Sequence, residues 1–291
     1  MLMRISLLLS LAANCLATPT PAIRDEAQTP LGTWLWESTI ISDTAKVAEF
    51  FDNTVSRGLQ RVFAQVNPDI QTSDWQNFIT QCASKGIKVE ALIGNSQWVI
   101  GTGTPSLQSQ LDWIKQYQAA AITNSGFAGI HMDVEPWGLD DWEANKAKYI
   151  EGWEEVAQKV ASLASSLGIT VAADLPFWAN TLDSTTEGQT MDIWMLNLLD
   201  YATFMTYRNT VPAFLDIAAP VLAAGNQVGK PVWLAVETIQ LPEDNLSYYG
   251  QPVSKLQSDL DEIAAAVQEQ SSFAGIAVHD YDGWSALPRT A

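Results

Sequence analysis

Three polar side chains stand two residues apart in the stretch FAGIHMDVEPW, residues 127–137: His131, Asp133 and Glu135. Alternate side chains of an extended chain share a face, so these three point one way and Ile130, Met132 and Val134 the other. Three polar groups in a row on a buried face are costly unless that face lines a site. A carboxylate pair beside an aromatic ring, here Asp133, Glu135 and Trp137, suits cleavage of sugars. One carboxyl moves the proton, the other steadies positive charge, and the indole stacks on the sugar. Their closeness should push one carboxyl upward, as an acid that stays protonated near neutrality requires. A further acid, Glu237, ends the apolar run Val232–Val236. Burying an unpaired acid there costs several kcal/mol, so Glu237 is a second catalytic candidate.

Positioning such groups requires a scaffold that repeats. Strand-like and helix-like stretches alternate eight times. The strands are expected at Thr33–Glu37, Gln60–Val66, Lys88–Ile93, Gly129–Glu135, Thr170–Asp174, Ala202–Tyr207, Val232–Glu237 and Gly275–His279. Apolar residues at three- and four-residue spacing mark helices at Ser42–Arg57, Ser106–Asn124, Asp140–Leu167 and Val253–Gln270. Ser42, Ser73 and Ser106 read as helix caps, and Gly86, Gly126, Gly168 and Gly229 as helix stops. Eight such units without a composition shift predict one α/β domain over 31–291, a single (β/α)8 TIM barrel. No GxGxxG follows the first strand, so no nucleotide cofactor is expected.

A barrel of this kind carries its site at the C-terminal strand ends. Polar and aromatic residues gather there: Trp36 and Glu37, Asn67 and Asp69, Asn95, Gln97 and Trp98, Asp174, Phe177 and Trp178, Tyr207 and Arg208, and His279 through Asp282. Of twelve tryptophans, Trp36, Trp98, Trp137 and Trp178 are the expected sugar platforms, with His131, Arg208, His279 and Asp280 as further substrate contacts. His131 and His279 are the sole histidines, and no HxH or HExxH spacing is present, so no metal is expected.

These residues resemble glycoside hydrolase family eighteen, the chitinase family. Its fourth-strand DGxDxDxE is matched in part by Ala128-Gly129-Ile130-His131-Met132-Asp133-Val134-Glu135, and its sixth-strand Met-x-Tyr-Asp by Met205-Thr206-Tyr207, followed by Arg208. Leu92-Ile93-Gly94-Asn95 partly echoes the third-strand Ser-x-Gly-Gly, and Ile169–Ala172 the fifth strand. Two motif acids are replaced, by Ala128 and His131, and the strand-eight Trp by His279. The family's common insertion domain is missing. The resemblance implies a distant relative with a substrate-assisted mechanism. Glu135 would protonate the leaving oxygen, Asp133 would orient the substrate's N-acetyl group, and Tyr207 would hydrogen-bond that group. The alternative pairs Glu135 as acid/base with Glu237 as nucleophile, as in retaining barrel glycosidases. Arg208 would then pair with Glu237 or an acidic sugar. The rival from another class is an inactive carbohydrate-binding barrel, a lectin or inhibitor, which the lost acids favour and the retained Glu135 opposes.

The chain of 291 residues has a net charge of −18, which disfavours nucleic acid and anionic membranes as partners. Residues 1–17 read as a secretory signal: Arg4, an apolar run from Leu7, and Cys15-Leu16-Ala17 as a cleavage site. Thr18–Pro30 reads as a disordered leader. A secreted, extracellular monomer follows, with Asn245-Leu246-Ser247 as a glycosylation sequon. No later segment is expected to be long and apolar enough to cross a membrane. Cys82, alone after loss of Cys15, is expected to be a buried filler.

Overall fold

Strands covered on both faces read as near-continuous apolar runs, and Val232–Glu237 is buried at all six positions. The computed structural model describes residues 29–289. The expected signal and nearly all of the leader therefore lie outside the described residues. Eight parallel strands pair in chain order and close: β1 Leu31–Leu35, β2 Leu59–Gln65, β3 Lys88–Ile93, β4 Gly129–Met132, β5 Thr170–Pro176, β6 Tyr201–Met205, β7 Val232–Glu237 and β8 Phe273–His279. The helices are α1 Thr44–Thr54, α2 Thr72–Ser84, α3 Thr104–Ala120, α4 Trp142–Leu167, α5 Met191–Leu198, α6 Val211–Val228, α7 Val253–Val267 and α8 Tyr281–Ala286. The expected (β/α)8 barrel is thus the fold.

Where boundaries moved, local hydrogen bonds explain the change. β1 ends at Leu35, before Glu37, whose carboxylate turns back to the Thr39 hydroxyl and caps a short 3-10 turn over Ser38–Ser42. β4 stops at Met132, because only the Asp133 N–H continues the ladder, to the Ile93 carbonyl at 2.8 Å. Beyond it Pro136 opens a tight turn over Pro136–Gly138. Asp43, not Ser42, caps α1, its Oδ1 accepting from the Ala45 and Lys46 N–H groups. Ser73 and Ser106 lie inside the first turns of α2 and α3 and cap neither. Gly168 and Gly229 do end α4 and α6, at φ of 66° and 68°, where a Cβ would be strained.

Side-chain alternation divides the core in two. Trp34, Phe63, Leu92, Ala172, Tyr201, Trp233, Ala235 and Ala277 fill the barrel interior. A larger shell between strands and helices holds, among others, Val62, Ile130, Phe204, Val236 and Ile263. α6 is long and apolar enough to cross a membrane by length and composition, contrary to expectation. Its Val211, Phe214, Ala218, Val221 and Leu222 are instead buried within the fold. Cys82 of α2 is buried, and burial pushes its thiol far above the ordinary value. Asn245 of the sequon is exposed.

Candidate active site

The site is built on a column of polar side chains inside the barrel. At its base Arg61 of β2 pairs with the fully buried Glu90 of β3. The Tyr201 hydroxyl of β6 donates to Glu90 and accepts from Arg61 at 3.1 Å. The guanidinium also lies over the Tyr201 and Trp233 rings, at 4.7 and 5.3 Å. Above this pair His131 of β4, wholly buried, stacks on Phe63 with ring centroids 3.8 Å apart. Its Nδ1 lies 3.4 Å from the Tyr201 hydroxyl and 3.5 Å from Glu90, and its Nε2 lies 2.9 Å from Asp174 Oδ1. Trp34 Nε1 donates to the other Asp174 oxygen at 2.9 Å. His131 is therefore an interior residue, not the substrate contact its strand position suggested.

Asp133 and Glu135 emerge above this column, both half-buried. The β4–β5 register pairs Met132 with Ala173, so one further step brings Asp133 beside Asp174. Gly94 at the end of β3 makes this exit possible: a Cβ there would stand 1.9 Å from the Asp133 carbonyl oxygen. The Asp133 carboxyl is pushed well above the ordinary carboxylate range, first by burial, then by the charges of Asp174 and Glu135. Glu135 is also pushed up, by burial and then Asp174, while hydrogen bonding with Asp133 and Trp137 and the charge of His279 oppose the rise. Tyr207, after β6, is raised by burial and by Glu237, Asp174, Asp133 and Glu135 in that order. Its hydroxyl therefore keeps its proton and can donate.

The β7 and β8 ends form a second cluster. Glu237 is 2 % exposed. Its Oε1 accepts from the Thr238 and Ile239 N–H groups at 2.7 and 2.8 Å, and His279 Nδ1 lies 2.9 Å from Oε2. Trp36 Nε1 donates to His279 Nε2 at 2.9 Å. An indole N–H can only donate, so Nε2 offers its lone pair and Nδ1 carries the proton toward Glu237. Burial alone would lower His279, but the bond to Glu237 and the charges of Glu237, Asp280 and Asp174 raise it above its ordinary value. The Trp36 donor works against that rise.

Other expected contacts lie elsewhere. Trp98 is buried in the outer core, 3 % exposed, donating to the Ser106 hydroxyl. The Asp280 carboxylate caps α8 through the Gly283 N–H. The Arg208 guanidinium donates to the Tyr207 carbonyl and lies over the Phe177 ring, and it joins no ion pair among the described residues. The partner of Glu237 is thus His279, not Arg208. Trp137 packs edge-on against Trp153 and Trp178, at 5.5 and 5.3 Å. Trp178 lines a groove of about 600 Å³ with Trp142, Glu143, Lys146 and Asp183. No His, Cys, Asp and Glu cluster suited to a metal ion occurs among the described residues.

Sequence reasoning noted Asp174 at its strand end but gave it no role, and passed over Arg61, Glu90 and Tyr201. An acid inside Ala172-Ala173-Asp174-Leu175 was the available signal, since such a run is otherwise apolar. Arg61 and Glu90 stand third in β2 and β3 and Tyr201 opens β6, in the first halves of their strands and away from the C-terminal ends where a site was sought.

No protein-family model matches the chain. No curated protein sequence matches it either. Solved structures share its fold. The C-terminal domain of a putative chitinase from Desulfitobacterium hafniense is 12% identical with a TM-score of 0.58, over 89% of this chain and 95% of that one. A chitinase from Chromobacterium violaceum is 11% identical with a TM-score of 0.52, over 89% and 97%. An exo-beta-1,4-mannosidase from an Opitutaceae bacterium is 10% identical with a TM-score of 0.60, over 89% of this chain and 55% of that one. At these identities the likeness is one of fold: the chain shares the closed eight-stranded barrel of these proteins.

Proposed function

We propose that this protein is a secreted glycoside hydrolase acting on O-glycosidic bonds of an extracellular polysaccharide or oligosaccharide, with Glu135 as the general acid. The observation that carries this reading is the adjacent Asp133–Glu135 pair at the C-terminal rim beside Trp137 and Asp174, with both carboxyls raised above their ordinary range by burial and by neighbouring acids. The barrel likeness to chitinases and a mannosidase supports the same class of substrate.

Substrate-assisted cleavage is the mechanism the geometry favours. Glu135 protonates the glycosidic oxygen, whose bond to the anomeric carbon breaks as the N-acetyl carbonyl oxygen of the same sugar attacks that carbon; water, giving its proton back to Glu135, then opens the cyclised intermediate. Asp133 holds the acetamido group, and Tyr207 donates to it. Glu237 is less suited to attack, because its oxygens already accept from two backbone N–H groups and His279. Trp137 offers a ring beside Glu135, and the groove at Trp178 extends the surface on which a chain of sugars can lie.

The test is release of reducing ends from N-acetylglucosamine oligomers and, in parallel, from plant-wall polysaccharides. Turnover by the wild type, reduced about 10²–10⁴-fold in Glu135→Gln, supports the reading. Binding without turnover makes the protein a carbohydrate-binding barrel, and neither binding nor turnover on any glycan overturns the assignment.

A further inference from the structure

The position that holds an acid in the resembled motif holds His131 here, yet an acid does reach the same neighbourhood from the adjacent strand. Asp174 of β5 is 2 % exposed, and each of its oxygens is held by one ring N–H donor, Trp34 Nε1 on one side and His131 Nε2 on the other, both at 2.9 Å. The β4–β5 register sets it beside Asp133. A carboxylate fixed by two rigid rings cannot turn toward solvent. We propose that Asp174, fixed by His131 and Trp34, is the positioning residue that supplies the negative charge beneath the Asp133–Glu135 pair and so keeps the catalytic proton on that pair. The inference rests on the glycosidase reading for its purpose, though not for its measurement.

The reach of the Asp174 charge, from a position fixed beside Asp133, distinguishes this role from a structural one. Asp174 perturbs Asp133, Glu135, Tyr207 and His279 alike, ahead of Glu135 in its effect on Asp133. The charged and titratable groups around the pair are Asp174 from β5, His131 from β4, Tyr207 after β6, Glu237 from β7 through Tyr207, and His279 with Asp280 at the end of β8. Below His131 lie Glu90, Arg61 and Tyr201. The basic side chains nearest the pair are the imidazoles of His131 and His279, and Arg61 is held by Glu90. Against this background a like charge disfavours loss of the proton from Asp133 and Glu135. Through its bond to Oδ1, His131 fixes the Asp174 carboxylate on the strand beside Asp133.

The decisive variant is Asp174→Asn, which keeps the shape, still accepts from Trp34, and donates to His131 Nε2 once that ring carries its proton on Nδ1, beside Glu90. The readout is carboxyl 13C NMR titration of Asp133 and Glu135 in the full chain, assigned with Asp133→Asn and Glu135→Gln, alongside a thermal melt to verify folding. Asp174→Asn should weaken proton binding by the pair about tenfold or more, shifting its titration to lower pH. Any hydrolysis should show the same displacement of its alkaline limb. The double variant His131→Asp/Asp174→Asn returns an acid to position 131 and should move the titration back up. An unmoved titration in folded Asp174→Asn overturns the inference, as does a double variant that titrates like the single one. A protein inert on every glycan whose titration still follows Asp174 overturns the hydrolase reading alone.

Discussion

Replacing Glu237 with Ala separates an anchoring acid from a nucleophile. The substitution removes the acceptor for the Ile239 N–H and for His279 Nδ1–H, while the Thr238 N–H keeps a second partner in the His279 carbonyl at 2.6 Å. Two donors are thus stranded, each costing about 1–3 kcal/mol. Ile239 is 37% exposed, so water relieves its share. His279 cannot escape by moving its proton to Nε2, because Trp36 already donates there. A loss of about 1–3 kcal/mol follows, carried almost wholly by His279. For a domain of this size it lowers Tm by about 2–12 °C. Glu237→Gln retains one acceptor oxygen but must present its amide NH2 to the remaining donor, so it should cost about 1–2 kcal/mol. Differential scanning calorimetry at pH 7 gives both numbers. In the same samples azide should not restore turnover to Glu237→Ala. An unchanged Tm, together with azide-rescued turnover and inverted product stereochemistry, would refute the reasoning and make Glu237 the nucleophile.

Other outcomes follow from the same contacts. Arg61→Met leaves Glu90 buried with only Tyr201 and His131 for company and should cost about 3–5 kcal/mol in urea unfolding; a change under 1 kcal/mol would mean that Glu90 is not charged. Asp133→Asn should inactivate the protein yet stabilise it at pH 7. The folded Asp133 carboxyl is raised, so the native state binds more protons than the unfolded chain above the ordinary value of 3.8, and stability falls as pH rises from there to the folded value. The Tm advantage of the variant should vanish below that window and be full above it, and a difference independent of pH would contradict this. Trp36→Phe removes the donor to His279 Nε2 and should raise the His279 titration further, visible in histidine 15N NMR; an unshifted titration would show that the indole does not hold the tautomer.

Much of the scaffold is legible in the sequence because its signals are local. Lys88–Ile93 and Val232–Glu237 coincide with β3 and β7 end to end, with Gly94 marking the end of the first and Pro231 the start of the second. β1 was displaced by two residues because Trp36 and Glu37 continue the alternation that the structure ends with a capped turn. The rim carboxylates were visible as acids inside apolar runs. What could not be read was the polar column. Arg61 and Glu90 are 29 residues apart, and Tyr201 and Glu90 are 111 apart. Pairing of β2 with β3 joins the first two and closure of the barrel brings Tyr201 of β6 to them, so no pattern within a single strand announces the cluster. Trp98 misled for the opposite reason: it follows a strand end, but the chain folds it back into the outer core, where its N–H finds Ser106.

The placement of Cys82 gives this molecule a built-in clock. Among the described residues it is the sole thiol, with no surface exposed on α2. The thiolate is the reactive form, and burial keeps the native side chain in the thiol form and out of reach. A disulfide reagent can therefore modify it only when α2 lifts from the barrel. At high reagent concentration the labelling rate becomes the opening rate itself, and at low concentration it reports the fraction of molecules open at any moment. One residue of the outer core thus makes the lifetime of the closed barrel measurable without denaturant, and separately from events at the rim.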